Sequence, residues 1–272
     1  MKISLSFNSY FKQSINKFLL NKGFSDNNIY YLIKNKNVLI DNKIVIDKNV
    51  LLPFKKCKVE VTLNEEESTL PINNNKIDIV YEDQYFLVVN KPFNLDIEPT
   101  KANYENNLAC MVNNYFINNN IKSKIHLVNR LDKLTSGLVI IAKNQYIHNL
   151  FSKVKINKYY ETLVEGITKN KGTIKVKINK EDGSVKRIVD EKGKLSITKY
   201  KRIKVIDNNS LLKIKLITGR THQIRLSMSY INHPLVNDPL YGNIVNENNM
   251  YLKANILVFK HPITKKKIKI II

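Results

Sequence analysis

The stretch "NRLDKLTSGLVIIAKN", Asn129 to Asn144, sets one carboxylate, Asp132, between Arg130 and Lys133. Thr-Ser-Gly and a run of apolar residues follow it. The run is short, rich in β-branched residues and closed by Lys143-Asn144, which marks a buried strand. The segment therefore reads as a charged loop feeding a strand. Either Asp132 is an ordinary turn residue, or it is a reactive carboxylate held where a polyanion will lie.

Composition favours the polyanion. The chain has 272 residues and a formal net charge of +22. With 43% hydrophobic residues it has ample material for a packed core, enough for one large domain or a large one plus a small one. A globular protein this basic meets phosphates, because neutralising them releases counterions. Nucleic acid is preferred to an acidic membrane surface, because no amphipathic basic helix stands out. No apolar run approaches the roughly 18 residues that span a membrane. Cys57 and Cys110 fit neither a disulfide framework nor a metal site, and the five His are scattered, so no metal is expected and a reducing cytoplasm is the expected location.

Only five of the 45 basic residues are arginines: Arg130, Arg187, Arg202, Arg220 and Arg225. In a chain crowded with Lys, Asn and Ile, an arginine marks a place where a planar two-pronged donor is needed. The eight glycines are equally scarce, and Gly137, Gly166, Gly219 and Gly242 fall in the segments that carry chemistry.

The expected fold class is α+β. Residues 1–62 read as a small module. Phe11, Ile15, Phe18 and Leu19 have helical spacing, a second helix starts at Asp26 as its cap, and a hairpin turns at Asp41-Asn42 before the strand "KCKVEVTL". Residues 63–76, polar and acidic, read as a linker. Residues 77–272 alternate β-rich runs with turns, and helices are expected at 104–118, 145–154 and 221–232. This describes a large mixed, mainly antiparallel sheet with flanking helices.

Four segments of this second part converge: "VVNKPFN" (88–94), the stretch around Asp132, "KYYETLVEG" (158–166) and "LITGRTHQIRLSMSYINHPLVNDPLYG" (216–242). In this order they resemble the RluA-type pseudouridine synthases. The resemblance covers residues 77–272, and the first module resembles the S4 RNA-binding module, with Asn37 where a glycine is usual. The resemblance implies an RNA-modifying isomerase in which Asp132 is the catalytic carboxylate, Tyr160 the aromatic that stacks on an extruded base, and Arg225 the salt-bridge partner of Asp132. Arg220 is the second choice for that partner or for a backbone phosphate. Arg130 is expected to serve the RNA. Lys91 is placed among the substrate-binding residues, with a structural role the preferred of its two readings. His222 and Gln223 are expected to fix the helix and loop.

The isomerisation breaks the N1–C1′ bond of uridine and joins C5 to C1′. Atoms are conserved and no redox step occurs, so no cofactor is called for. Ribosomal RNA, of the large subunit above all, is the favoured partner, with transfer RNA as the alternative. A monomer is expected.

The chain departs from the family pattern at several points. Asn129 and Ser227 stand where histidines are usual, and Asn94, Asn232 and Asn237 where glycines are usual. Asn is the non-glycine residue that best tolerates positive φ, so the same turns remain open to it. Two other functions compete with this one: a non-catalytic RNA-binding or ribosome-assembly factor on the same fold, and a nucleoside-cleaving hydrolase.

Overall fold

The structure, a computed structural model, describes residues 2–244 and 249–272. Its first part is a four-stranded antiparallel sheet in the order β1-β4-β2-β3. The strands are β1 (Lys2–Ser9), β2 (Val38–Ile40), β3 (Lys43–Ile44) and β4 (Cys57–Asn64), with helices α1 (Ile15–Asn21) and α2 (Asp26–Lys34) between β1 and β2. The hairpin turns where expected, with Asp41 and Asn42 both at positive φ, as a tight strand-to-strand turn requires.

Two local expectations are corrected. The cap of α2 is Ser25, whose Oγ accepts the Asn28 N–H at 3.2 Å, and Asp26 is the acidic residue of the first turn. Phe11 lies before α1 and is 69% exposed, so only Ile15, Phe18 and Leu19 form the buried stripe. Before the hairpin, Lys36 is left-handed with φ 57°, and Asn37 donates its N–H to Leu32 O at 2.8 Å.

The second part is an 11-stranded sheet. Its strands are β5 (Ile79–Glu82), β6 (Phe86–Lys91), β7 (His126–Leu127), β8 (Ser136–Ala142), β9 (Asn157–Val164), β10 (Lys171–Lys180), β11 (Arg187–Val189), β12 (Lys194–Ile206), β13 (Asn209–Leu216), β14 (Leu252–Lys260) and β15 (Lys267–Ile271). The main path runs β11-β10-β12-β13-β9-β14-β8-β6-β5, and every pairing is antiparallel except β14 with β8. The helices α3 (Leu108–Asn118), α4 (Gln145–Phe151) and α5 (Gln223–Tyr230) fall within the spans expected.

The two kinds of strand follow from burial. In β6 and β8 both faces are covered, so their sequences are nearly continuous apolar runs. In β10 buried Ile174, Val176 and Ile178 alternate with exposed lysines, because one face meets solvent. Each fully buried Leu, Ile or Phe contributes about 1.5–3 kcal/mol by leaving water.

Residues 65–76 carry no strand or helix, yet they are strapped down. Glu65 is buried, accepting from Ser123 Oγ at 3.0 Å and the Gln145 N–H at 3.1 Å, with His126 Nε2 at 2.7 Å. Glu66 and Glu67 pair with Lys124 and Lys122. Asn113 holds the Leu70 carbonyl at 2.7 Å. The first module also packs on α4: Phe24 stacks on Tyr146 at 4.9 Å, and the Tyr146 hydroxyl donates to Lys22 O at 2.8 Å.

Candidate active site

Asp132 sits in a loop between β7 and β8, half-buried, and three anchors fix it. A tight turn forms when Thr135 N–H donates to Asp132 O at 2.9 Å. Asn129 clamps the loop to β8, its amide donating to Leu138 O at 3.2 Å and accepting the Ile140 N–H at 2.9 Å. Lys91 is completely buried at the end of β6, and its ammonium donates to Pro92 O, Leu95 O and Lys133 O at 2.9, 2.8 and 3.1 Å. Gly137 completes the arrangement. Its φ is +111°, and a Cβ there would lie 2.3 Å from the carbonyl oxygen of Ala254, so only glycine lets β14 come alongside β8.

The structure thus assigns Lys91 its structural reading and corrects the substrate-binding one. Its three donors are taken by carbonyls, and none remains for an RNA phosphate. Burial lowers its pKa to about 8, against the pull of Asp96 and Asp132.

Asp132 opens into a cleft of about 520 Å³. Arg130, Lys158, Arg220, His222, Arg225 and Tyr160 share its walls, and among the described residues Asp132 is the only carboxylate that lines it. Tyr160 and Lys158 come from one face of β9; Tyr159 points to the other, as strand alternation demands. Burial, and then the charge of Asp132, push the Tyr160 hydroxyl well above the ordinary phenol range. At neutral pH it is therefore a protonated donor and not a base. Burial also holds the Lys158 ammonium below its ordinary value.

Arg225 corrects an expectation. It is 3% exposed on α5, and its Nε donates to Asp238 Oδ2 at 2.8 Å while a terminal nitrogen donates to Oδ1 at 2.5 Å. Its salt-bridge partner is Asp238 and not Asp132. The physical reason is burial: a guanidinium inside the fold needs a rigid buried carboxylate, and Asp238 is fully buried and oriented by the N–H groups of Leu240 and Tyr241. Tyr241 lies under the guanidinium at 5.3 Å. Sequence reasoning passed over Asp238, although "VNDPLYG" contains it; a buried arginine calling for a carboxylate was the available signal.

The other site residues divide by exposure. Arg130 is 72% exposed and pairs with Glu98 at 3.1 Å. Arg220 is exposed on the loop before α5. Gln223 is buried and ties that loop to β12, accepting from Arg220 N and Thr218 Oγ1 and donating to Ile197 O and Thr198 Oγ1. His222 has φ 55° at the start of α5, and its Nδ1 lies 3.0 Å from the Tyr241 hydroxyl. Burial lowers its pKa; Asp132 pulls upward, while Arg225 and Arg187 push down. Ser227, fully buried, lies 3.1 Å from Thr198 Oγ1. Asn129 and Ser227 thus both serve the framework of the site.

Residues 85–230, more than half of the chain, match the family described as RNA pseudouridylate synthase. An uncharacterised RNA pseudouridine synthase of Mycoplasma genitalium is 33% identical over 253 residues, covering 86% of this chain and 80% of its own. The ribosomal large subunit pseudouridine synthase D of Buchnera aphidicola subsp. Schizaphis graminum is 34% identical over 258 residues, covering 85% and 80%. Among solved structures, human RNA pseudouridylate synthase domain containing 1 superposes with a TM-score of 0.61 at 25% identity, covering 74% of this chain and 85% of that one. Sequence, fold and a cleft holding one carboxylate agree: the chain belongs to the RNA pseudouridylate synthase family and is an isomerase acting on RNA.

Proposed function

We propose that this enzyme converts uridine to pseudouridine in large-subunit ribosomal RNA, with Asp132 as the catalytic carboxylate. The observation that carries the catalytic part is the cleft itself, where a single carboxylate stands among four cations and a buried tyrosine. The N1–C1′ bond opens, the C5–C1′ bond forms, the proton on C5 leaves and N1 gains one, so the isomer balances; the Asp132 carboxylate adds to the sugar or base and is released again, or carries that proton. Tyr160 gives the loosened uracil a ring to stack on and an un-ionised hydroxyl to bond, so the base turns within the cleft without being lost to water. Arg130 and Arg220, exposed at the cleft, take flanking phosphates or the space left by the flipped base. Arg225 acts from behind, building the wall through Asp238.

The ribosomal target rests on the named Buchnera relative and on the charge of +22. In this reading residues 1–62 are an RNA-binding module of the S4 type, 63–76 a strap and 77–272 the catalytic domain, working as a cytoplasmic monomer. The test is pseudouridine mapping, by carbodiimide modification and primer extension, of ribosomal and transfer RNA from cells with and without the gene. Loss of large-subunit sites supports the target; loss confined to transfer RNA overturns it.

A further inference from the structure

The strands that present Tyr160 to the cleft carry a second, uncovered face. The registers align its side chains in cross-strand rows. One row runs Lys171, Lys201, Lys213, Glu161, Lys253 from β10 to β14. The next contains Lys199, Lys215 and Tyr159. Residues facing each other across adjacent strands sit on backbones about 4.8 Å apart, and like charges placed so are destabilising. Here Lys171 faces Lys201, Lys201 faces Lys213, and Lys199 faces Lys215.

Among the described residues, the two rows carry six lysines against one acid. Among the described residues, these lysines make no ion pair. The one acid in the two rows, Glu161, has its Oε1 bonded to the Tyr251 hydroxyl at 2.6 Å. The Lys213 and Lys215 ammonium groups lie over the Tyr159 ring, 5.3 and 5.5 Å from its centroid. Lys171, Lys199, Lys201 and Lys213 are all exposed. A folded sheet that opposes Lys171, Lys201 and Lys213 in register, and Lys199 with Lys215, with Glu161 the one acid of the two rows, is complementary to an external polyanion.

We infer that this lysine face, on the reverse of the sheet from the cleft, is a second docking surface for the phosphate backbone of a structured RNA. It rests on the reading that the substrate is a large RNA, and it adds where that RNA is held beyond the target uridine. The interactions are sequence-independent, since lysines act on phosphates as point charges. RNA long enough to pass from the cleft to the reverse face reaches these lysines; a short stem-loop does not.

The experiment compares wild type with a Lys199→Gln, Lys201→Gln, Lys213→Gln variant. Binding to a long ribosomal RNA transcript and to a short stem-loop is measured by filter retention across a salt series, with thermal unfolding alongside. The expected result is a long-transcript Kd raised at least about tenfold and a salt slope smaller by about two to three, near one for each phosphate left without its lysine. Stem-loop binding should be unchanged and the melting temperature equal or higher, because repulsion has been relieved. Unchanged affinity and slope for the long transcript overturn the proposal, as does an equal loss for both RNAs. If the triple variant fails to fold, Lys201→Gln alone must lower the long-transcript slope by about one; no change overturns the inference. Binding is read without turnover, so an inactive wild type that still binds through this face defeats the catalytic reading and leaves this one standing.

Discussion

Arg225 and Asp238 close on each other inside the fold, Nε to Oδ2 at 2.8 Å, while Asp132 stands in the same cleft without an ion pair among the described residues. The strongest charge pair of the site thus belongs to its frame. Asp238→Asn leaves a guanidinium buried without its counter-ion and should cost about 3–5 kcal/mol, read as a lower denaturant midpoint in equilibrium unfolding. A variant as stable as wild type contradicts a framework role for the pair.

Lys91 ties the Asp132 loop to β6 through three carbonyls. Lys91→Met should lower kcat with little change in RNA affinity, because the loop loosens while the exposed Arg220 stays in place on its own loop. Its pKa of about 8 adds a pH dependence. As pH rises through about 8 the ammonium loses a proton and one of three bonds, so the wild-type rate should decline there, and the variant should lack that limb. The stability linkage has the opposite sense. Between about 8 and 10.5 the unfolded chain binds the extra proton, so the burial penalty on Lys91 fades and its contribution rises with pH. A pH–rate profile identical in wild type and Lys91→Met removes Lys91 from the account.

Glu65 straps the segment after β4. Burial alone would raise its pKa, but His126, the Gln145 N–H and Ser123 together hold it below the usual value. A carboxylate depressed in the folded state contributes stability above its unfolded pKa, and loses it as pH falls through the folded value. Wild type should therefore lose stability in acid more steeply than Glu65→Gln, and the variant should be cleaved faster by protease within residues 65–76 at neutral pH. Equal cleavage rates rule out a strap.

Asn94 and Asn232 are exposed and hold φ of 57° and 59°. Replacing either by Ala should cost about 1 kcal/mol, and replacing it by Gly should cost nothing or stabilise. Thermal unfolding of the paired variants checks this. Gly137→Ala should be far worse, since its Cβ meets backbone at 2.3 Å.

These positions show what the sequence could and could not reveal. The three asparagines standing for glycines were legible because backbone conformation is a local property; all three have positive φ. The β-rich runs from Ile77 onward became strands because burial writes its period directly into the residues. Scarcity also informed: Arg225 is two-pronged on Asp238, and Arg202 reaches both Thr168 O and Asn170 Oδ1. Strands β1 and β15 were missed: "KISLSFNS" is diluted by Ser and Asn, and "KIKII" gains its meaning only from pairing with β14. The partner of Arg225 was misassigned for a related reason. Both carboxylates lie in the matched motifs, and only three-dimensional packing decides which is buried against the guanidinium.

The central claim is that Asp132 performs the chemistry in a cleft built by other residues. The direct measurement is pseudouridine formation by purified Asp132→Asn on an RNA that wild type modifies, with RNA affinity measured in parallel. The account predicts no detectable product with affinity within about twofold of wild type, since a neutral isostere keeps the loop and its neighbours. Turnover at a rate near that of wild type contradicts it.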